Sequence, residues 1–192
     1  MSPRVVLFTR YPEPGKAKTR LIPLLGKKGS AQLHRSLTEQ TVGTVQAAGL
    51  ALEVRTTGAP TARFTDWLGP LTFVDQGNGD LGERLARAGP PWPTIFIGAD
   101  APDLTPELLC NAADAMVHAA AVVGPAADGG YWLLGLREGI AGVFEGIDWS
   151  TDRVFAQTMA QLNDAGVDPI VLPELSDCDR PEDLARWPDL VA

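Results

Sequence analysis

The sequence predicts an α/β fold, a three-layer α/β/α sandwich built on a mostly parallel sheet. Short apolar runs alternate with amphipathic helical patterns along the 192 residues of the chain. These runs are continuously apolar, which is typical of strands covered by helices on both faces. Because 45% of the residues are hydrophobic and no internal repeat or low-complexity linker interrupts them, we expect a single domain over residues 1–192.

The first half of the chain opens with a buried strand, RVVLFT (4–9), and a loop over residues 10–29 rich in Pro, Gly and Lys. Ser30 is predicted to cap a helix over residues 30–48, because apolar residues and Thr41 recur there every four positions on one face. The following predicted elements are a strand (50–57), a short helix (59–69), a strand (71–76) and a brief helix (83–89).

The second half continues with TIFIGAD (94–100), the most strand-like segment of the sequence. Thr105, Pro106 and Glu107 then predict the start of a helix that runs to about His118, since Thr is a good N-cap and Pro suits the first helical position. The remaining predicted elements are strands at 120–126 and 131–136, helices near 138–146 and 151–165, a late strand at 168–175, and a final helix from Pro181.

Charge is distributed unevenly along the chain. The net charge is −8, which argues against nucleic acid as a general partner. Residues 1–35 nevertheless hold eight of the 16 basic residues and one acidic residue, Glu13. Such a basic segment on an acidic protein can concentrate a small polyanion, although a solvated basic loop would have the same composition.

Other features argue against several classes of protein. No apolar run approaches the roughly 18 residues that span a bilayer, and VVLFT is too short for the core of a signal peptide. We therefore expect a cytoplasmic protein without membrane contact. Cys110 and Cys178 are predicted to be ordinary thiols, since they form neither a disulfide scaffold nor a zinc site. His34 and His118 lie on predicted helices without metal-ligand spacing and are expected to be structural.

The loop after the first strand, RYPEPGKAKTRL (10–21), is the first candidate site. Four of its twelve residues are basic, and its Pro and Gly residues would hold it in a defined shape. Its backbone N–H groups and polar side chains could bind a chain of phosphates. The residues concerned are Gly15, Lys16, Lys18, Thr19 and Arg20. The loop is not a P-loop, because Ala17 follows the Lys and position 10 is Arg instead of Gly.

Acidic residues follow the fourth predicted strand in GADAPDL (98–104). Asp100 and Asp103 would lie at the carboxyl end of that strand, where ligands bind in sheets of this kind. Carboxylates there are well placed to hold Mg²⁺ against phosphate oxygens. For Asp103 the alternative is that it caps the turn before the next helix.

Two later segments carry further acids. In SDCDRPEDL (176–184), Asp177 and Asp179 could complete the metal site, and the alternative is that they cap the predicted final helix. In GPAADGGYW (124–132), the Asp128-Gly129-Gly130 turn would let a backbone approach a ligand closely, and the alternative is an ordinary hairpin turn.

The stretch GNGDLG (77–82) matches the spelling of the G-x-G-x-x-G dinucleotide fingerprint. That fingerprint normally joins the first strand to its helix, whereas here the match follows the third strand and precedes a helix of barely two turns. Asp100, the expected ribose carboxylate, has a better use as a metal ligand. We therefore interpret the stretch as a substrate-site loop in which Gln76, Gly79 and Asp80 contact the nucleotide or the acceptor, with a purely structural turn as the alternative.

Six stretches, in order along almost the whole chain, resemble a family of bacterial proteins. They are FTRYPEPGKAKTRL, QGNGDLGERL, GADAPDLTPELL, GPAADGGYWLLGL, IDWSTDRVFAQT and SDCDRPEDL. The family is catalogued as a domain of unknown function (DUF2064) and labelled glycosyltransferase A-like, of the radical-SAM/selenodomain-associated transferase type. It is related to the 2-phospho-lactate guanylyltransferases and, more distantly, to the molybdenum-cofactor guanylyltransferases. The chain lacks the Ser-x-Arg-Met start of the latter, and Pro102 interrupts the D-x-D motif of many sugar transferases.

This resemblance implies the nucleotide-diphospho-sugar transferase (GT-A) fold, a Rossmann-like sandwich, together with Mg²⁺ or Mn²⁺. It implies binding of a nucleoside triphosphate or nucleotide-sugar and a small acceptor. By position, residues 15–20 would hold the triphosphate, Asp100 would bind the metal, and Asp179, with Asp177 near it, would supply a second ligand. The residues that would face the acceptor are Asp128, Gly129 and Gly130.

Three functions are consistent with these features. The first is a metal-dependent nucleotidyl- or glycosyltransferase with Asp100, Lys18 and Arg20 as its catalytic residues. Nucleotidyl transfer is favoured because the basic loop is dense enough for a triphosphate. The second is a non-catalytic nucleotide-binding or regulatory module of the same fold. The third is a dinucleotide-binding oxidoreductase that uses GNGDLG as its fingerprint.

Overall fold

Seven strands form one sheet in the computed structural model, which describes residues 2–191. The strands are β1 (Arg4–Arg10), β2 (Ala51–Thr57), β3 (Thr72–Asp75), β4 (Thr94–Ile97), β5 (Ala121–Pro125), β6 (Tyr131–Leu136) and β7 (Ile170–Val171). Their order in the sheet is β3-β2-β1-β4-β6-β5-β7. β6 runs antiparallel to both of its neighbours, and the other pairs are parallel. This arrangement confirms the predicted α/β class and its mostly parallel sheet.

Helices cover both faces of the sheet. They are α1 (Ile22–Ala47), α2 (Thr61–Leu68), α3 (Leu81–Ala88), α4 (Pro106–His118) and α5 (Val154–Asp164). α1 and α4 pack on the face that carries Val5, while α3 and α5 pack on the opposite face, which carries Val6. Successive strand residues therefore enter different cores, as the two-residue repeat of a strand requires. No helix within residues 2–191 is long and apolar enough to cross a membrane.

The first helix differs most from its prediction. A first helical turn begins at Ile22, Gly26 then leaves the helical conformation (φ 70°, ψ 171°), and the continuous helix follows from Lys27, three residues before the predicted cap. Ser30 is buried inside the helix, and its hydroxyl has no hydrogen-bond partner among residues 2–191. The early start has an apolar cause, because Leu21 and Leu25 pack against Leu33 and its neighbours. The Pro, Gly and Lys composition of this segment concealed that contact in the sequence.

The C-terminal third also differs from its prediction. The helix predicted near 138–146 is a series of turns, because Gly142 and Gly146 adopt φ values of 76° and 66°. The late strand is reduced to the two residues of β7, which pairs with β5. The helix predicted from Pro181 is replaced by two short 3-10 turns, at Asp183–Arg186 and Pro188–Val191.

The sheet topology fixes where a ligand can bind. β1 and β4 are neighbours, and β2 and β6 lie on their outer sides, so the chain connections diverge at this point. In sheets of this kind ligands occupy the crevice at the carboxyl ends of the diverging strands. Because β6 is antiparallel, its first residue, Tyr131, and the turn before it lie at the same edge.

Candidate functional site

A cleft of about 570 Å³ opens at the carboxyl ends of β1 and β4. This volume falls within the range of about 300–1,000 Å³ that is usual for small-molecule sites. One part of the wall is charged and the other is apolar. The charged residues are Arg10, Lys16, Lys18, Arg20, Asp100, Asp128 and Asp179. The larger apolar residues are Phe8, Leu81, Leu85, Phe96, Ile97, Tyr131, Trp132, Trp149 and Val154.

The basic loop reaches this cleft in a fixed conformation. The Tyr11 ring packs edge-on against Phe64 and Trp67, with ring centroids 5.4 and 5.9 Å away. The Arg63 guanidinium covers the same ring at 4.1 Å. Further along, the Lys16 amide donates a hydrogen bond to the carbonyl of Glu13 (3.0 Å). The loop is therefore anchored to α2 before it enters the cleft.

Lys18 connects three segments of the chain. Its backbone is left-handed (φ 44°, ψ 51°) and its side chain is only 3% exposed. The Lys18 ammonium donates hydrogen bonds to Asp100 Oδ1, to the carbonyl of Cys178 (2.7 Å) and to Asp179 Oδ1 (3.4 Å). It thereby links the loop after β1 to the end of β4 and to the segment that carries Asp177 and Asp179.

The charges in this cluster are partly balanced. Burial alone would lower the pKa of Lys18, but the charge and hydrogen bond of Asp100, together with the charge of Asp179, outweigh it and raise that pKa above its ordinary value. Loss of hydration would likewise raise the pKa of Asp100, and the Lys18 ammonium lowers it instead. Asp179 has a second partner, since Arg20 Nη1 lies 2.6 Å from its Oδ2. Asp100 is therefore expected to be ionised.

Asp177 lies in a different environment from Asp179. Its pKa is raised to about 8, first because it is buried and then because the Asp128 and Asp100 carboxylates lie close to it. Asp177 and Asp128 line a second cavity of about 590 Å³. That cavity adjoins the cleft, and the two share Arg20, Asp128, Ser150 and Asp179 as lining residues.

These carboxylates suit a divalent metal by their chemistry. Mg²⁺ and Mn²⁺ prefer oxygen ligands. Asp100 and Asp128 lie close enough to Asp177 to raise its pKa, so a cation would relieve the repulsion among the three carboxylates. As the side chains stand, no group of three or more His, Cys, Asp or Glu within residues 2–191 is gathered tightly enough to hold a metal. The donor set therefore fits such an ion, while the preformed coordination is incomplete.

The Asp-Gly-Gly turn before β6 is held by its surroundings. Asp128 Oδ1 accepts a hydrogen bond from the Gly130 amide (2.9 Å). Gly129 has a φ of 88°, and a Cβ atom there would lie 2.2 Å from the carbonyl oxygen of Asp152. The Phe155 amide also donates to the Gly129 carbonyl (2.8 Å). Asp128 lines both cavities, while the two glycines set the shape of the turn that presents it.

The GNGDLG loop has mainly internal contacts. The buried Gln76 side chain donates to the carbonyls of Thr9 (3.1 Å) and Arg55 (3.0 Å). The side-chain oxygen of Gln76, Oε1, accepts a hydrogen bond from Arg84 (3.2 Å), and Arg84 also donates to the Gly79 carbonyl (2.9 Å). Asp80 caps α3 in a capping box. A third, smaller cavity of about 90 Å³ lies between Asp100 and Asp177. Gln76, Gly79 and Asp80 line none of these three cavities, although Leu81, the next residue, lines the cleft.

Asp103 is separated from the other predicted ligands. Its Oδ1 accepts a hydrogen bond from Trp187 Nε1 (2.9 Å), and it lines none of the three described cavities. Of the predicted phosphate-binding residues in the loop, Lys16, Lys18, Thr19 and Arg20 all line the cleft, and Gly15 instead turns the loop with a φ of 83°.

Several cleft residues had no role in the sequence prediction. Arg10 ends β1 and lines the charged wall. Trp149 and Ser150 precede α5 and line the cleft, and Ser150 has a left-handed backbone (φ 67°). The sequence signal for Arg10 is its place at the end of the first strand. For Trp149 and Ser150 the signal is an aromatic residue within the acidic stretch IDWSTD.

Comparison with known proteins identifies the family. The sequence profile of the family described as "Uncharacterized protein conserved in bacteria (DUF2064)" matches residues 38–151. A structure from Desulfovibrio desulfuricans, described as a candidate nucleotide-diphospho-sugar transferase, is 30% identical with a TM-score of 0.90. The alignment covers 98% of this chain and 88% of that one. The chain therefore belongs to the DUF2064 family, and its fold is that of the nucleotide-diphospho-sugar transferases.

More distant structures share the fold alone. A nucleotidyl transferase from Methanothermobacter thermautotrophicus is 18% identical with a TM-score of 0.63, over 97% of this chain and 96% of that one. A glucosyl-3-phosphoglycerate synthase from Mycobacterium tuberculosis, solved with Mn²⁺, UDP and glucosyl-3-phosphoglycerate, is 11% identical with a TM-score of 0.56. That alignment covers 96% of this chain and 75% of that one. No curated protein matches the sequence.

Proposed function

We propose that the chain is a metal-dependent transferase that moves a nucleotidyl group from a nucleoside triphosphate to a small acceptor. The observation that carries this proposal is a cleft in which four basic side chains face carboxylates at the carboxyl ends of β1 and β4. The protein would act as a single domain over residues 1–192. The C-terminal segment supports this, because it brings Asp177 and Asp179 to the end of β4.

The basic side chains support a triphosphate as the donor. Arg10, Lys16, Lys18 and Arg20 line one cleft, and few ligands other than a phosphate chain would require so many cations. Their positive charge would balance the negative charge that develops on the leaving pyrophosphate. A nucleotide-sugar is the second candidate donor, and the 30% identical relative described as a candidate nucleotide-diphospho-sugar transferase favours it.

The second cavity supports a place for the acceptor. Asp128 lies on the wall that both cavities share, next to the donor cleft. An acceptor hydroxyl bound there would attack the α-phosphorus, and the bond from that phosphorus to the pyrophosphate oxygen would break. The Asp128 carboxylate would orient the hydroxyl and take its proton.

A divalent cation would complete the charge balance of the site. Asp100, with Asp177 and Asp179 on the neighbouring segment, would hold it. When bound, such an ion neutralises charge on phosphate oxygens and polarises the reacting phosphorus. The M. tuberculosis synthase of the same fold was solved with Mn²⁺ and UDP, which supports a nucleotide and a metal as partners here.

The proposal is tested by thermal denaturation with a panel of nucleoside triphosphates and UDP-sugars, each with Mg²⁺. A fitting nucleotide at about one hundred times its Kd should raise the Tm by about 5 °C or more. Asp100→Asn should abolish this rise, because it removes the ionised ligand and leaves Lys18 without its main partner. Asp103→Asn is the matched control, since it removes the same charge from outside the three cavities.

Two results would count against the proposal. One is the absence of any Tm rise with every triphosphate and UDP-sugar. The other is an undiminished rise in Asp100→Asn. Binding without product, with each of a range of acceptors, would favour a non-catalytic nucleotide-binding module of the same fold.

A further inference from the structure

We infer that the Lys18 ammonium and a divalent cation exchange places on Asp100 and Asp179. Lys18 would balance these carboxylates until a metal arrives, and would then be released toward the phosphates of the donor. The inference rests on the proposed function, because it assumes that Asp100 and its neighbours bind a metal. It assigns Lys18 a role distinct from that of the other basic residues of the loop.

The first support is that the Lys18 ammonium has no spare donor. An ammonium has three N–H groups. Asp100 Oδ1, the Cys178 carbonyl and Asp179 Oδ1 accept three hydrogen bonds from it. With its side chain only 3% exposed, Lys18 has no N–H directed to a phosphate in this arrangement. It must leave at least one of these partners before it can bind a donor.

The second support is electrostatic. A metal held by Asp100 would lie within a few ångströms of an ammonium already bonded to the same carboxylate, and two cations so close repel each other. On its other side Asp100 shares a small cavity with Asp177, and Asp128 in turn lies close to Asp177. A divalent ion that binds there competes with Lys18 for the charge of Asp100.

The third support is a contrast within the loop. Lys16 lines the same cleft, but it is exposed and has no ion pair within the described residues. It can meet a phosphate chain without giving up a partner. Lys18 alone among the loop lysines is bonded to the carboxylates. If Lys18 and the metal exchange places, binding of the phosphates by Lys18 would therefore depend on a bound metal.

The experiment measures Mn²⁺ binding by electron paramagnetic resonance, without nucleotide, in three proteins. They are the wild type, Lys18→Met and Lys16→Met. If Lys18 competes with the metal, Lys18→Met should bind Mn²⁺ about tenfold more tightly than the wild type. Lys16→Met removes the same charge from the cleft without freeing Asp100, so its affinity should rise by less than about threefold.

A second measurement needs no variant and remains valid if Lys18→Met fails to fold. Reductive methylation of the wild-type protein, mapped by mass spectrometry, should leave Lys18 unmodified in EDTA while Lys16, Lys27 and Lys28 react. Saturating Mg²⁺ should make Lys18 reactive, because its amine is released from the carboxylates.

Each outcome decides the matter. Equal or weaker Mn²⁺ binding by Lys18→Met, or a Lys18 equally protected with and without Mg²⁺, overturns the exchange and leaves the proposed metal site intact. If none of the three proteins binds Mn²⁺, the exchange is also overturned. The triphosphate panel then decides separately whether the protein binds nucleotides.

Discussion

At the scale of single residues, His34 shows how a polar side chain can be buried behind the site. It lies on α1, and its Nε2 is 3.0 Å from the Arg10 carbonyl and 3.3 Å from Thr9 Oγ1. These contacts agree with the structural role that its lack of metal-ligand spacing predicted. They also attach the end of β1, which carries Arg10 into the cleft, to the first helix.

The burial of His34 gives a prediction for pH. Burial lowers the pKa of His34 below its ordinary value of 6.5, and it outweighs the opposing effects of the Asp100 carboxylate and of the hydrogen bond to the Arg10 carbonyl. Below pH 6.5 the unfolded chain takes up a proton that the folded protein resists, so His34 contributes a loss of stability as the pH falls, opposite in sign to the gain from the raised pKa of Asp177. His34→Gln should lack this contribution, so its stability at pH 5.5 relative to pH 7.5 should be higher than that of the wild type. Urea unfolding at pH 7.5 and 5.5 measures the difference.

The exposed His118 provides the control for this pH effect. His118→Gln should follow the wild-type pH dependence, because this residue lies on the surface at the end of α4. The explanation would be wrong if the stability of His34→Gln and that of the wild type changed equally between the two pH values.

Residue chemistry was the most predictable part of the site. Asp100, Lys16, Lys18 and Arg20 were expected from charge and from their place after strands, and all four line the cleft. The sequence could not reveal the pairing of Lys18 with Asp100, because the two are 82 positions apart. The isolation of Asp103 has a similar cause, since its partner Trp187 belongs to the C-terminal segment.

At the scale of elements, the prediction succeeded where local chemistry decides the structure. Thr105 accepts the hydrogen bond from the Leu108 amide that its position before Pro106 predicted, and α4 ends at His118 as expected. It failed where glycines or distant packing decide. The turns of 138–146 and the early start of α1 are both of this kind.

The turn before β6 is the element whose geometry should be least tolerant of change. In Gly129→Ala the new methyl would meet the backbone of Asp152, which side-chain rotation cannot relieve. Gly166→Ala is the matched control, since its φ is also positive (72°) but no atom lies within 4 Å of the added methyl. We expect a loss of about 1 kcal/mol for Gly166→Ala from backbone strain and about 3 kcal/mol for Gly129→Ala.

Urea denaturation of the two glycine variants measures both losses. Equal destabilisation would show that the backbone conformation alone matters and that the contact with Asp152 does not hold the turn. Gly129→Ala should also show a smaller Tm rise with nucleotide than Gly166→Ala, because the same turn presents Asp128 to both cavities.

At the scale of the whole molecule, three clusters of buried apolar residues stabilise the fold, and one of them also positions residues of the site. Two of them lie on opposite faces of the sheet. The third joins α1 to the C-terminal segment through Leu21, Leu33, Leu37, Cys178 and Leu184. Asp177 and Asp179 flank Cys178 in the sequence. Packing of this third cluster therefore sets where those two carboxylates lie relative to Asp100.

This arrangement predicts that a core residue outside the cleft controls ligand binding. Leu184→Ala should reduce the free energy of unfolding by about 3 kcal/mol, as expected for a leucine that is only 5% exposed. It should also reduce the Tm rise given by triphosphate and Mg²⁺, because Cys178, which lies between the two aspartates in the sequence, loses a packing partner. The control is Leu109→Ala, because Leu109 is a fully buried leucine of α4 in the cluster on the Val5 face of the sheet. This control variant should lose a similar free energy of unfolding but retain its affinity for the triphosphate with Mg²⁺. Isothermal titration calorimetry at 20 °C measures that affinity in both variants. Equal losses of affinity in both variants would mean that general loosening, and not the third cluster, governs the site.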